Sequence, residues 1–333
     1  MNQEPATSSA ELQIEKVPLN RLAHFPITFF AVTMGLSGLT LGYQKAHEVL
    51  HFPAFIGQVL AYLSLSIFVL VLLIYLFKIV RYPSAALAEF KHPMRMHFFP
   101  AMSISLLLLA TAFWGLSPEL AAVFWFSGAL LHGWLTLYIT SHWINHNFEI
   151  QHSTPAWFIP IAGNLIVPIA GVHFSSVQIS MLFFSVGLFF WMALFTLVFN
   201  RIVFHHQLPA KFMPTLFIFI APPAVAFIAY YAISGHYDLF AQFLYSLALF
   251  FTLLILFMYK NFLGLQYFLS WWAFTFPLAA MTVATQLSYQ LTHASLFLYF
   301  SYFMLILTTL VIALVAWRTF EHMLKGEICV VEK

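Results

Sequence analysis

Ten stretches of the chain are each apolar enough and long enough to cross a bilayer, and no Asp, Glu, Lys or Arg stands in the middle of any of them. They lie near residues 24–43, 54–77, 97–117, 119–141, 155–175, 177–200, 212–234, 238–259, 267–290 and 295–317. A span needs about 20 apolar residues, because only a helix of that length satisfies its own backbone polar groups where water is absent. Of 333 residues, 62% are hydrophobic and 7% charged, whereas a soluble domain carries roughly 25% charge. The expectation is an all-α integral membrane protein. Connections are short, so no second domain is expected. The reading is a tail over 1–22, a ten-helix membrane domain over 23–320 and a second tail over 321–333.

Lysine and arginine are retained on the cytoplasmic side of membrane proteins, while acidic residues count for little. With the amino terminus inside, Lys16, Arg21, Lys78, Arg81, Lys91, Arg95, Arg201, Lys211, Lys260, Arg318, Lys325 and Lys333 are all inside, and only Lys45 is outside. That bias requires an even number of spans and puts both termini in the cytoplasm. The first twenty residues are polar and lack the apolar core of a cleaved signal. The net charge of +2 is too small, and its carriers too scattered, for a nucleic-acid partner.

Prolines divide the runs into two kinds. Odd-numbered runs contain Pro26, Pro100, Pro155, Pro160, Pro168, Pro214, Pro222, Pro223 and Pro277; even-numbered runs have only Pro118, in a first turn. A first-turn proline costs a helix almost nothing, whereas an interior one removes a hydrogen bond and bends the axis. The alternation reads as five helical hairpins, each with one bent and one straight member, the bent helices forming an inner ring and the straight ones an outer ring. Chance clustering of proline gives the same pattern without a ring. Gly35, Gly38 and Gly163 allow close backbone approach or leave room for a passage. Asn164, at mid-membrane, needs a hydrogen-bond partner.

The stretch Trp271–Met281, WWAFTFPLAAM, sets two phenylalanines beside Pro277. A proline inside a helix there frees the carbonyl of Ala273. Either this is a bent packing helix, or the bend presents Phe274 or Phe276 to a conduction path; being two positions apart, the two rings differ by roughly 200° around the axis.

Proton-coupled carriers usually hold ionisable groups mid-span, so their absence here points to passive conduction. A pore lined by apolar, aromatic and hydroxyl groups still admits weakly hydrated anions, and a phenylalanine at its narrowest point blocks by sterics and dewetting. Histidines raise a metal alternative: His142 and His146 share a helix face with His152 nearby, and His47 and His51 repeat the spacing. The two pairs fall on opposite sides of the membrane, and the pair His205–His206 has no further box around it. No metal, no cofactor and no enzyme activity is therefore expected. His132, alone mid-span, is read as a helix-to-helix hydrogen bond. The single cysteine, Cys329, excludes an intrachain disulfide.

Five segments together resemble the TehA/slow anion channel family: FFAVTMGLSGL from Phe29, HPMRMHFF from His92, TPAWFIPIAGNLIVPIAG from Thr154, IAPPAVAFIAYY from Ile220 and WWAFTFPLAAM from Trp271. The similarity covers roughly residues 20–320. It implies a homotrimer in the cell (inner) membrane, each subunit with its own pore inside five hairpins, passing small monovalent anions such as chloride or nitrate. Other members are described as carriers of C4-dicarboxylates such as malate, or of tellurite. The resemblance selects Phe276 as the occluding ring. It adds Phe30, Ala31 and Gly35 to the pore-lining or bend positions Pro26, Pro100, Pro160, Asn164, Pro222, Phe274 and Pro277; Ala31 stands where the family often has glycine. Expected partners are small inorganic or organic anions and membrane lipids.

Overall fold

A computed structural model describes residues 21–205 and 207–330. The tail readings over 1–20 and 331–333, and His206, lie outside the described residues.

Among the described residues all regular structure is helical. The first apolar run is a 3-10 turn, Ile27–Phe29, leading into α1 (Phe30–Leu50), and the second is α2 (Ala54–Arg81). A short helix that the apolar pattern does not announce, α3 (Pro83–Lys91), follows. The turn Arg95–Phe98 leads into α4 (Pro100–Phe113), and α5 (Pro118–Asn145) comes next. The turn Pro155–Phe158 leads into α6 (Ile159–Phe174), followed by α7 (Val177–Phe204). The 3-10 segment Ala210–Phe219 leads into α8 (Ala221–Ser234), then α9 (Leu239–Phe257). Last, the turn Leu269–Phe274 leads into α10 (Thr275–Thr292), and α11 (Ser295–Leu324) closes the chain.

Odd-numbered runs thus change helix type part-way, and even-numbered runs do not. The prolines account for this. Pro100 opens α4, Pro160 is the second residue of α6, Pro222 and Pro223 lie in the first turn of α8, and Pro277 is the third residue of α10. There a missing N–H leaves nothing unsatisfied, so the mid-helix bend expected at Pro277 is instead a junction where a 3-10 turn passes into an α-helix. Pro26 precedes the first turn in extended conformation, and only Pro168 and Pro214 stand inside a helical element. Three of the straight helices, α5, α7 and α9, start from ordinary caps: Ser117 accepts from the Leu120 N–H, Ser176 from Ile179, and the Asp238 carboxylate from Phe240 and Ala241.

Eight of these segments are long and apolar enough to cross a membrane. The runs expected at 24–43 and 267–290 are helical but more polar, because α1 carries Thr33, Ser37 and Thr40, and α10 carries Thr282, Thr285, Gln286 and Ser288, all at most 1% exposed. The threonine hydroxyls bond carbonyls one turn back, as Thr40 does to Leu36 (2.9 Å) and Thr282 to Leu278 (2.8 Å). They also pair across helices: Thr33 with Ser105 of α4, Thr40 with Ser64 of α2, and Thr282 with Thr308 of α11.

Burial separates the two kinds of helix. In α2, α5, α7, α9 and α11 no more than 39% of the most apolar stretch is buried, against at least 67% in the third, fifth and seventh runs. α1 packs on α4, α4 on α6, α6 on α8, α8 on α10 and α10 on α1, and each also packs on the straight helix that follows it.

Glycine sets the closest approach between α1 and α10. A Cβ on Gly35 would fall on the Thr275 hydroxyl, with the Thr275 Cβ at 2.9 Å. Thr275 is fully buried and donates to the Trp272 carbonyl (2.7 Å), so it has little freedom to yield. Gly35→Ala is therefore expected to cost about 1–3 kcal/mol through overpacking. The measurement is thermal unfolding in detergent, with Gly115→Ala, where a Cβ meets nothing within 4 Å, as the unaffected control.

One buried ion pair ties α2, α3 and the first turn together. Lys78 donates to Glu89 (2.6 Å) and to the Phe25 carbonyl (2.8 Å), while Glu89 also accepts from the Tyr75 hydroxyl (3.0 Å) and the Ile27 N–H (2.8 Å). Beyond α11 the chain folds back, and Cys329 is half-buried in a groove with Arg21, Phe25, Phe29 and Met323. Burial pushes its thiol up to about 11. At pH 8 alkylation by N-ethylmaleimide should run about 100-fold or more slower than for a free thiol, since only the thiolate reacts. The rate should climb as pH rises towards that value; rapid labelling at pH 8 would show the groove open.

Candidate functional site

The junction at Phe274–Thr275 separates the environments of the two phenylalanines. Phe274 is buried among rings, its centroid 4.7 Å from Phe217 and 5.9 Å from Phe262 and from Trp271. Among the described residues Phe276 has no such ring partner. It is half-buried between buried Thr275 and Pro277 and packs against the apolar core, and Gly38 of α1 lies near it, where an added Cβ would come 3.5 Å from the Phe276 ring. A bulkier residue than glycine at 38 would meet Ala279 at 2.8 Å.

Up to Ser288, the least buried positions of α10 fall on a single stripe that continues to Gln290. Phe276 and Val283 are half-buried and Gln290 is exposed, with Ala280 (6%) and Leu287 (5%) between them. Steps of four and three residues put these five on one helical face. The flanking positions Ala279, Met281, Thr282 and Ala284 are at most 1% exposed, as expected for a helix packed by α1, α8, α9 and α11. On α1, Ala31, Met34, Gly38, Leu41 and Lys45 share one helical face, on which Met34 and Gly38 are buried and Ala31, Leu41 and Lys45 half-buried. Both stripes are apolar over most of their length and end in a polar residue, Gln290 and Lys45.

Other expected positions have different surroundings. The Phe30 ring is fully buried and turned towards α2, 5.8 Å from Phe68 and 6.3 Å from Tyr75. Pro100, Pro160 and Pro222 are buried at helix starts. Gly35 is the contact with Thr275 described above. The Asn164 amide donates to the Pro160 carbonyl (3.0 Å), the Ile161 carbonyl (3.2 Å) and the Thr136 hydroxyl (3.0 Å), so its donors are spent on holding α5 to α6. His132 joins the same network. Its Nε2 lies 3.1 Å from the Pro160 carbonyl, which only accepts, so Nε2 carries the proton and Nδ1 faces the Ser103 hydroxyl at 2.8 Å. A Cβ on Gly163 would strike that imidazole, so glycine is what admits His132 between the helices.

The buried charged side chains among the described residues are Lys78, Glu89 and Arg201. Lys78 and Arg201 lie in the last turns of α2 and α7, and Glu89 on α3. His142 and His146 stack on one another, with ring centroids 3.9 Å apart. No group of three His, Cys, Asp or Glu side chains suited to a metal ion occurs among the described residues. Sequence reasoning passed over Glu89, whose four-way contact depends on the unannounced α3. It also passed over Met34 and Leu41, which share a helical face with Gly38 and stand out only once Gly38 is placed against α10.

Residues 24–320 match the profile of a family described as SLAC1, voltage-dependent anion channel. Among curated relatives, the S-type anion channel SLAH2 of Arabidopsis thaliana is 30% identical over 272 residues, covering 79% of this chain and 52% of the relative. The guard cell S-type anion channel SLAC1 of the same plant is 27% identical over 275 residues, 79% of this chain and 50% of its own length. The chain thus spans about half the length of these plant channels. A tellurite resistance protein TehA homolog of Haemophilus influenzae is 27% identical over 317 residues and is matched almost end to end, 91% and 92%.

Proposed function

The chain belongs to the SLAC1 voltage-dependent anion channel family, and on that footing we propose that it is a gated channel passing small monovalent anions, chloride or nitrate, through a pore in each subunit occluded by Phe276. One observation carries the reading: Phe276 is half-buried at a junction whose immediate neighbours are buried, it lies near a glycine of α1, and it begins the stripe of least buried positions on α10. In this reading α1 and α10 cross the membrane despite their hydroxyls, making ten spans in five hairpins within 23–320. The circuit α1–α4–α6–α8–α10 forms the inner ring, and the less buried straight helices meet lipid and neighbouring subunits of a homotrimer. Both termini face the cytoplasm of the cell (inner) membrane.

The chemistry follows from the lining. Apolar and hydroxyl side chains offer no fixed charge to trap an anion, so weakly hydrated monovalent anions lose least on entry, and the cationic residues of the inner face raise their local concentration. The phenyl ring closes the path by filling it and by excluding water. Phe274 and Phe30, held by ring packing, position the two helices.

A carrier of C4-dicarboxylates or of tellurite is the second reading, favoured by the end-to-end likeness to a relative named for tellurite resistance. Purified protein in liposomes discriminates. A channel dissipates a chloride or nitrate gradient without proton coupling and reverses at the anion Nernst potential. Saturating, proton-coupled uptake of malate or tellurite with no chloride or nitrate leak would transfer the assignment to the carrier.

A further inference from the structure

Among the described residues two cations, Lys78 and Arg201, are buried to nearly the same degree, and only Lys78 is compensated. Lys78, 2% exposed, has a carboxylate and a carbonyl. Arg201, 3% exposed, has neither: its Nη1 is buried without a hydrogen-bond partner, and none of the ion pairs among the described residues involves it. Lysine can shed its proton when buried, but a guanidinium stays charged. An uncompensated buried charge is among the most unfavourable arrangements a fold can hold.

The direction of the side chain is set by its helix. The buried face of α7 runs from Ser180 through Gly187 and Trp191 to Val198 and Arg201, and that helix packs on α6, on α8 and on the turn Pro155–Phe158. Arg201 therefore points into the bundle and not at lipid. In the turn that packs on α7, Trp157 Nε1 is a second buried donor without an acceptor. The carbonyl end of α7 contributes a partial negative charge, yet no carbonyl closes on the guanidinium.

We infer that Arg201 is an anion-binding site at the end of α7, its missing acceptor supplied by a singly charged halide or oxyanion group, either a free anion or the phosphate of an acidic lipid. It does not depend on the gate assignment, because it concerns binding and not flux.

The test uses the full-length purified protein. Thermal unfolding is titrated with sodium nitrate against gluconate at equal ionic strength and, separately, with phosphatidylglycerol against phosphatidylcholine, for the wild type, Arg201→Lys and Arg201→Gln. Ligand that binds the folded state raises the midpoint. The expected result is a wild-type shift with nitrate that needs at least about tenfold more nitrate in Arg201→Gln, with Arg201→Lys between them. A shift with phosphatidylglycerol alone, lost in Arg201→Gln, identifies the lipid phosphate as the source. Should Arg201→Gln not fold, the wild type decides: crystals grown in bromide show anomalous density against the guanidinium, or lipid-containing samples show phosphate density there. Equal titrations in wild type and Arg201→Gln, or neither density at Arg201, would overturn the site while leaving the conduction reading to its own flux test.

Discussion

Phe276→Ala raises anion conductance by about tenfold or more, since removing a barrier of roughly 1.4 kcal/mol already gives a factor of ten and in the proposed channel this ring is the occluding group. Opposite it stands Gly38, which has no side chain to take up the space. Phe274→Ala serves as the contrast. Its ring is 9% exposed and packed against Phe217, Phe262 and Trp271, so truncation costs about 3–5 kcal/mol of stability and opens no path. Planar bilayer recordings in symmetrical chloride and then nitrate, normalised to the amount of reconstituted protein, measure both. Current unchanged in Phe276→Ala but raised in Phe274→Ala would exchange their roles. Unchanged current in both would remove the passage from α10 altogether.

Glu89→Ala lowers stability by about 3–5 kcal/mol, the usual consequence of leaving one member of a buried pair without its partner. Lys78 is 2% exposed and keeps only the Phe25 carbonyl. The Ile27 N–H and the Tyr75 hydroxyl lose their acceptor as well. Combining Lys78→Met with Glu89→Gln should recover most of the loss, because the amide oxygen of glutamine still accepts from Ile27 while no charge remains to compensate. Chemical unfolding in detergent, followed by tryptophan fluorescence, reads the series. A Glu89→Ala protein within about 0.5 kcal/mol of wild type would mean that water reaches the pair, as surface substitutions behave.

Much of the architecture is legible because it follows from chemistry that has few solutions in lipid. Apolar runs without mid-span charge have to be helices, and the structure is helical at all ten of them. The division into two kinds was visible in Pro100, Pro160, Pro222 and Pro277, but its meaning was not. Proline forbids a hydrogen bond at one position, and whether the chain answers by bending or by starting a new helix there depends on what packs around it. At Pro277 the chain starts a helix. Asn164 shows the same limit. Its need for partners is a property of the amide, yet that they are Pro160, Ile161 and Thr136 depends on α5 lying alongside α6.

From the sequence alone came the membrane class, the number and places of the apolar runs, and a small set of segments whose order marks the family, because hydropathy and backbone satisfaction act locally along the chain. Only the tertiary structure decided which of Phe274 and Phe276 is sheltered by rings, that Gly35 and Gly38 face Thr275 and Ala279, and that Lys78 is compensated while Arg201 is not. Those outcomes turn on contacts between residues as much as about 240 positions apart in the chain, and a contact of that kind has no signature in either residue until the helices that carry them are packed.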